Sequence, residues 1–233
     1  MAILSDTVSS VIHLFYPELC AACQNPLGTG EQFLCLDCSI SLPKTGFHKT
    51  EKNPVEQVFW GRFPIVSASA YMYFHKAAGA QNILHRIKYR GGKELAKTIG
   101  EWFGEDLASM PLYKSIDYIV PVPLHKSKER DRGYNQSEWF GQGLSKTMGI
   151  PMMGQNLVRI RKSETQTRKT REKRWQNVSG IFAVEQPEKF VNKHVLLVDD
   201  VVTTGATLEA CAQTILALNC GSKISIATLA FAN

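Results

Sequence analysis

The sequence predicts an α/β fold, with a mostly parallel sheet flanked by helices and a small cysteine-bearing module in front of it. From residue 115 onward, apolar runs typical of buried strands alternate with segments whose apolar residues recur at helical spacing. Four of the six cysteines lie in one short segment, residues 20–38, which glycine and proline punctuate. These patterns divide the chain into an N-terminal module at 1–46, a polar connector at 47–64 and a main domain at 65–233.

The overall composition is that of a globular protein, with 44% hydrophobic and 21% charged residues in 233 positions. No apolar run approaches the roughly 18 residues that a membrane helix needs. The first 20 residues lack the basic region and cleavage site of a secretory signal. We therefore expect a cytoplasmic protein without a membrane span. The net charge of +6 favours an anionic partner, such as a nucleotide, a phosphosugar or a nucleic acid, over a merely soluble surface.

The N-terminal cysteines form two C-x2-C pairs, Cys20 with Cys23 and Cys35 with Cys38, after an amphipathic helix predicted over residues 4–16. Each pair can form a knuckle that presents two thiolates, and two knuckles complete the four-thiolate shell of a structural zinc site. Two disulfides are disfavoured in a cytoplasmic chain. Four free buried thiols are a further alternative, and a redox pair would be expected on a βαβ unit.

The secondary structure of the main domain follows from hydrophobic periodicity. Strands are predicted over residues 65–74, 117–124, 156–161, 180–184, 194–198 and 223–231. Helices are predicted over residues 77–89, 93–109, 135–149 and 206–218. Two basic segments lie between predicted elements, a turn at 125–136 and a loop at 162–178. The second is long for a compact domain, and such loops are often functional lids or disordered.

Two neighbouring carboxylates, Asp199 and Asp200, follow the apolar run at 195–198, which is typical of a buried parallel strand. Open α/β sheets bind ligands at the carboxyl ends of their strands. The next residues can hold a phosphate through main-chain N–H groups at a helix start and through hydroxyl groups; they are Thr203, Thr204, Gly205, Ala206 and Thr207. Beside a phosphate, the carboxylates fit the hydroxyls of a ribose or a magnesium-bound water. The alternative is a helix cap next to two solvent-facing aspartates.

The stretch VLLVDDVVTTGATL, residues 195–208, resembles the phosphoribosyl pyrophosphate (PRPP) signature of type I phosphoribosyltransferases. From about residue 15 onward, the chain also resembles the ComF family of phosphoribosyltransferase-like proteins. That resemblance rests on the four cysteines and on the stretches YMYFHKAAGAQNILHRIKYRGG, IVPVPLHKSKERDRGYNQ and RKSETQTRKTREKRWQNVSGIF. It implies a type I phosphoribosyltransferase-like sheet with an N-terminal four-cysteine zinc ribbon, and a role in DNA uptake during natural transformation.

The resemblance also implies roles for individual residues. Asp199 and Asp200 would hold the ribose hydroxyls and magnesium, and residues 203–207 would hold the 5-phosphate. The loop after strand 117–124 would hold the pyrophosphate, with Arg130, Arg132, Gly133 and Asn135 as candidates. The segment 162–178 would close over the reaction, with Arg168, Lys169, Arg171 and Arg174 as candidates. Hypoxanthine/guanine-type enzymes carry an acidic general base where this chain has Thr203, which argues against a 6-oxopurine acceptor.

The basic segments allow other interpretations. The cations at 125–136 alternate with Glu129 and Asp131, as in an exposed mixed-charge turn. The cations at 162–178, with Trp175, could instead neutralise and stack on single-stranded DNA. A further group, His85, Lys88, Tyr89 and Arg90, could extend a basic rim or be ordinary helix surface.

Three functions are consistent with these patterns. The first is a phosphoribosyltransferase that uses Mg-PRPP, with structural zinc and an acceptor that the sequence does not reveal. The second is a non-enzymatic PRPP- or nucleotide-binding accessory in DNA uptake, working with DNA-uptake proteins. The third is a zinc-ribbon protein that binds single-stranded DNA. An oligomer is compatible with each of them, and fold alone does not decide between them.

Overall fold

The computed structural model describes residues 17–74, 79–89, 91–160 and 180–232. The helix predicted over residues 4–16 lies outside these described residues. So do Arg90, Trp175 and the four flexible-loop candidates, Arg168, Lys169, Arg171 and Arg174.

The main domain is built on a parallel sheet, as the sequence predicts. The strands of the described residues are β1 (Ser67–Tyr73), β2 (Tyr118–Pro121), β3 (Leu157–Arg159), β4 (Phe182–Val184), β5 (His194–Val202) and β6 (Lys223–Phe231). Four of them pair in parallel in the order β1-β6-β5-β2, and β3 and β4 form a separate antiparallel ribbon. The ribbon brackets the undescribed residues 161–179.

Helices follow or precede each strand of the sheet. They are α1 (Leu36–Ile40), α2 (Pro54–Phe59), α3 (Gly79–Tyr89), α4 (Lys93–Ala108), α5 (Lys126–Arg132), α6 (Gln136–Met148) and α7 (Ala206–Leu216). Short 3-10 helices cover Phe47–Lys49, Pro111–Tyr113 and Pro187–Phe190. Within the part of the chain that the structure describes, no helix has the length and apolar character of a membrane span.

Successive residues of β5 face opposite sides of the sheet and separate two cores. Leu196 and Val198 belong to the buried cluster that contains residues of α3, α4 and α6. Val195 and Leu197 belong to the cluster that contains residues of α2, α7 and the β3-β4 ribbon. Because β5 is buried on both faces, its sequence is a continuous apolar run, and that run predicted the strand.

Helices α4 and α6 cross closely because glycines lie at their contact. A Cβ atom on Gly100 would overlap the carbonyl oxygen of Phe140, and one on Gly143 would overlap that of Lys97. This close approach sets the position of α6, whose first turn reaches the acidic pair of β5.

Two predictions about local structure were wrong. The predicted turn at 125–136 contains helix α5, because good helix formers lie between a His125 cap and Gly133, which adopts the left-handed conformation at φ 80°. Strand β5 does not end at residue 198 but runs on to Val202, since its parallel pairing with β6 continues from Asp199↔Thr228 to Val202↔Phe231. Both aspartates therefore lie inside the strand.

The segment 47–64, expected as a polar connector, contains the 3-10 helix Phe47–Lys49 and helix α2. Val55 and Phe59 of α2 are fully buried in the same core as α7. Asn53 caps α2 and also donates to the Ala68 carbonyl oxygen of β1 at 2.9 Å, so the segment is fastened to the sheet.

Candidate functional site

The two aspartates of β5 are held by different partners. Asp199 accepts hydrogen bonds from the Ser137 hydroxyl at 2.8 Å and from the Asp200 N–H at 2.8 Å. Asp200 is only 8% exposed, and its Oδ2 atom accepts from the Gln136 amide at 2.9 Å. The same oxygen pairs with the Lys88 ammonium of α3 at 3.1 Å. The pair therefore lies between the start of α6 and the end of α3.

The start of α6 is fixed by its N-cap, Asn135. Its side chain accepts from the Ser137 N–H at 3.1 Å and donates to the Val122 carbonyl oxygen at 3.1 Å. Gln136 and Ser137 are the first two residues after this cap, so their side chains and the positive end of the helix dipole lie beside the carboxylates. Asn135, a predicted pyrophosphate-loop residue, therefore holds the start of α6 in place.

The environment of Asp199 disfavours its charged form. Burial, and then the negative charge of Asp200, raise the pKa of Asp199 to about 7. The hydrogen bonds from Ser137 and the Asp200 N–H oppose this rise without cancelling it. Asp199 is therefore an oxygen ligand that is readily protonated near neutral pH and that a cation or a hydroxyl donor would stabilise as a carboxylate.

The turn after β5 leads directly into helix α7. Gly205 has a φ of 73°, and a Cβ atom there would lie 2.7 Å from both Phe59 and Val58. Helix α7 begins at the next residue, so the first N–H groups of the helix lack helical partners. Thr203, Thr204, Ala206 and Thr207 are exposed around this turn.

Arg62 stabilises this turn, and the sequence did not predict it as a site residue. Its guanidinium donates to the Thr204 carbonyl oxygen at 2.7 Å and pairs with Glu209 of α7 at 3.2 Å. Arg62 lies in the segment expected as a connector, 142 residues from Thr204 in sequence, and no local pattern marks it.

The predicted pyrophosphate-loop residues are divided between two locations. Arg130 is exposed on α5, and Gly133 ends that helix. The Arg132 guanidinium lies 5.5 Å from the centre of the Tyr89 ring, at the end of α3. Of the suggested basic rim, Lys88 pairs with Asp200 and Tyr89 lies beside Arg132, whereas Arg90 lies outside the described residues. Gln136 and Ser137 were missed as site residues, although Gln136 ends the stretch that carried the resemblance.

The four N-terminal cysteines form a single cluster. Their Sγ atoms all lie within 4.8 Å of one another, and those of Cys23 and Cys35 are 3.8 Å apart. A tetrahedral shell with Zn–S bonds of about 2.3 Å has sulfur–sulfur distances of about 3.8 Å. Although burial opposes it, main-chain N–H groups, first that of Cys23, lower the pKa of the Cys20 thiol to about 6. The donor set fits a structural zinc ion.

Comparison with known proteins identifies the family of the chain. The family model for the phosphoribosyl transferase domain matches residues 115–233. Competence protein F of Haemophilus influenzae is 35% identical over 201 residues, which covers 84% of this chain and 83% of that protein. The chain belongs to the ComF family. DNA utilization protein YhgH of Escherichia coli K12 is 28% identical over 223 residues, covering 87% of this chain and 92% of the relative.

Two further comparisons concern a second competence protein and a solved structure. Competence protein ComFC of Bacillus subtilis is 28% identical over 146 residues, which is 63% of this chain and 57% of that protein. The structure of adenine phosphoribosyltransferase from Leishmania tarentolae is similar at a TM-score of 0.40 and 14% identity, covering 82% of this chain and 94% of that one. The ComF-family chain thus combines a phosphoribosyltransferase domain with an N-terminal four-cysteine cluster.

Proposed function

We propose that the protein binds PRPP together with magnesium and transfers the phosphoribosyl group to an acceptor, with release of pyrophosphate. The observation that carries the proposal is the acidic pair of β5, enclosed by Lys88, Gln136 and Ser137 and followed at once by the turn at 203–207. A ribose with two free hydroxyls and a 5-phosphate fits both parts at the same time.

Asp199 and Asp200 are proposed to hold the ribose hydroxyls and the hydration shell of magnesium. Their carboxylate oxygens are the ligand atoms that this cation prefers. The Gln136 Oε1 atom is buried and has no hydrogen-bond partner among the described residues, so it is a further oxygen for a ligand or its water. When bound, magnesium would neutralise charge on the departing pyrophosphate.

The residues at 203–207 are proposed to hold the 5-phosphate. The N–H groups at the start of α7 and the exposed Thr203, Thr204 and Thr207 belong to one short turn, and a phosphate bound there could accept from both kinds of donor. Arg62 keeps the turn rigid, so little ordering is needed when the phosphate binds.

In the proposed reaction, the bond between C1 of the ribose and the pyrophosphate oxygen breaks, and the pyrophosphate leaves with the electron pair. The sugar becomes oxocarbenium-like before the acceptor's lone pair forms the new bond to C1. Cations near the leaving group would stabilise its charge, and Arg132 is a candidate. Thr203 cannot accept a proton at neutral pH, so the acceptor must attack without an acidic base at that position.

Calorimetric titration with PRPP and magnesium tests the proposal. The double substitution Asp199→Asn and Asp200→Asn should weaken binding about a hundredfold, since each removes about 1.5 kcal/mol of charge-assisted hydrogen bonding. Glu101→Gln, which changes a half-buried carboxylate paired with the exposed Lys146 away from the site, should leave affinity unchanged. Absence of PRPP binding by the unchanged protein contradicts the proposal. Pyrophosphate release with a panel of nucleobases and amines then separates an enzyme from a binding protein.

A role in DNA uptake is the second part of the proposal, because relatives bear names that refer to competence and to DNA utilization. Helix α5 supports a contact with nucleic acid, since its sequence KSKERDR carries four cations against two carboxylates. Single-stranded DNA affinity should fall as salt rises, and Lys128→Ala should make the log–log slope shallower by about 0.7. Lys146→Ala is the control, and affinity that does not change with salt contradicts direct binding.

A further inference from the structure

Helix α3 contacts the four-cysteine module along its first two turns. A Cβ atom on Gly79 would lie 2.7 Å from the Ala22 Cβ, so the helix starts against the first knuckle. The Asn82 amide donates to the Ala22 carbonyl oxygen at 2.7 Å. The Arg86 guanidinium donates to the Leu19 carbonyl oxygen at 2.7 Å. Ala22 lies between two of the cysteines, and Leu19 directly precedes the first.

The last turn of the same helix contacts the acidic pair and its rim. The Ile87 carbonyl oxygen accepts a hydrogen bond from the Tyr134 hydroxyl. The Lys88 ammonium pairs with Asp200 at 3.1 Å, and the Tyr89 ring lies beside the Arg132 guanidinium. Three successive residues of α3 therefore touch the elements that hold the proposed ribose and pyrophosphate sites.

An α-helix is stiff over this length and rises about 1.5 Å per residue, so a shift at Asn82 is transmitted over about 9 Å to Lys88. Ile83 and Ile87 are fully buried between the two ends, which prevents the helix from bending to absorb such a shift. The hydrogen bonds to Leu19 and Ala22 thus set where Lys88 stands relative to Asp200.

Lys88 matters to Asp200 because that carboxylate is nearly enclosed. A buried carboxylate needs partners that match its charge, and among the described residues Lys88 supplies its ion pair. Gln136 donates to the same oxygen from the opposite element. Loss of Lys88 would leave the carboxylate with less support and free it to change rotamer.

The knuckles depend on metal for their shape, because metal binding to such sites supplies folding free energy. We propose that Lys88 is a positioning residue for Asp200, and that α3 carries the metal state of the four-cysteine module to the phosphoribosyl site, so that loss of zinc weakens PRPP binding. The identity of the ligand rests on the proposed function, whereas the connection between the two sites rests on the contacts of α3.

The first test is a titration with PRPP and magnesium, in protein loaded with zinc and in protein stripped of zinc by a chelator that is then dialysed away. Stripping should weaken binding about tenfold, a usual size for coupling between sites. Lys88→Met should weaken it by a similar factor, and Lys88→Arg should recover most of the loss. Lys146→Met, at an exposed ion pair elsewhere, should have no effect. In Lys88→Met, stripping should weaken binding less than it does in the wild-type protein, since the contact through Lys88 is already broken.

The second test needs no ligand. Hydrogen exchange of the amides at 79–89 should accelerate on stripping by a larger factor than exchange in β6, whose amides report global unfolding. If stripping unfolds the whole chain, the double variant Asn82→Ala and Arg86→Ala decides the matter in zinc-loaded protein, because it breaks the contacts without touching a cysteine. It should weaken PRPP binding and quicken exchange in α3.

The coupling is overturned if exchange at 79–89 accelerates no more than exchange in β6, in both the stripped protein and the double variant. Equal PRPP affinity with and without zinc overturns it as well. If zinc-loaded wild-type protein does not bind PRPP at all, the proposed function is wrong, while the exchange experiment still decides whether α3 connects the two sites.

Discussion

At the residue scale, Asp199 and Asp200 are neighbours in sequence that have different surroundings. Asp200 has a cation and an amide against it, whereas Asp199 accepts hydrogen bonds from a hydroxyl and a main-chain N–H. The positive charges of Lys88 and Arg159 also act on Asp199. Burial and the charge of Asp200 nevertheless outweigh these favourable contacts at Asp199. This imbalance is typical of a site that awaits a cation or a ligand, and it has a stability cost.

The pH dependence of stability should reveal that cost. The pKa of Asp199 is about 7 in the folded chain against an ordinary value of 3.8, so the native state binds more protons between these pH values. Stability is therefore lost as pH rises from about 4 to 7. Asp199→Asn should raise the free energy of unfolding by roughly 1–2 kcal/mol at pH 8, with a much smaller gain at pH 4.5. Urea unfolding without magnesium measures both values, and a gain independent of pH contradicts this assignment.

The sequence predicted some residues of the site and missed others for a physical reason. The acidic pair, the turn at 203–207 and the four cysteines are local patterns, so their residue types and spacing suffice to suggest them. Lys88, Ser137 and Arg62 act through contacts with residues far away in sequence, and such pairs depend on packing that no window of sequence contains. Lys88 was recognised only as part of a possible basic rim.

At the element scale, the connection from β5 to α7 shows how packing restricts the phosphate turn. Gly205 must adopt a positive φ, and it also lies against α2, where Phe59 and Val58 leave no room for a side chain. The turn was predicted from its glycine and threonines. Its fit against α2 was not, because α2 lies in a segment whose polar composition indicated a connector.

Alanine substitution separates these two demands on Gly205. Gly149 also has a positive φ, 68°, but a Cβ atom there meets nothing within 4 Å. Gly149→Ala should cost about 1 kcal/mol of unfolding free energy from backbone conformation alone. Gly205→Ala should cost about 2–4 kcal/mol, because overpacking against Phe59 adds to that strain, and it should also weaken PRPP binding. Denaturant unfolding of both variants measures the difference, and equal losses contradict the packing argument.

Strand β5 and helix α5 differ from the sequence prediction. The cause for β5 is its pairing with a neighbouring strand, and the cause for α5 is the capping of its ends. The pairing of β5 with β6 carries β5 past the apolar run, so polar residues are included in a strand whose hydrophobic pattern had ended. Helix α5 forms within a segment whose charges indicated an exposed turn. A side-chain cap at one end and a glycine at the other suffice for a short helix with an exposed, charged surface.

At the scale of the whole molecule, the α/β class and the parallel sheet were predicted from the alternation of apolar runs and amphipathic segments, and both are confirmed. The N-terminal four-cysteine cluster is confirmed as well. What the pattern could not predict is how the module sits on the domain. Cys20, Ala22 and Leu34 belong to the same buried cluster as Ile83 and Phe103 of the main domain, which makes the module part of a shared core.

This shared core determines how the protein should respond to metal loss. If the module folded independently, stripping zinc would melt it alone and leave the main thermal transition in place. Because its buried residues pack on α3 and α4, loss of the knuckles exposes apolar surface of the main domain. We expect zinc removal to cost about 2–3 kcal/mol and to lower the main Tm by about 4–12 °C, at roughly 2–4 °C per kcal/mol for a chain of this size.

Calorimetric scans of zinc-loaded, stripped and Cys20→Ser protein measure this shift. Cys220→Ser is the matched control, since Cys220 lies outside the four-cysteine cluster and its thiol contacts the Ser222 hydroxyl instead. The stripped protein and Cys20→Ser should share one lowered main transition, and Cys220→Ser should keep the Tm of the zinc-loaded protein. A main transition that stays in place beside a separate, small one at lower temperature contradicts a shared core, and it would also remove the mechanical basis for coupling through α3.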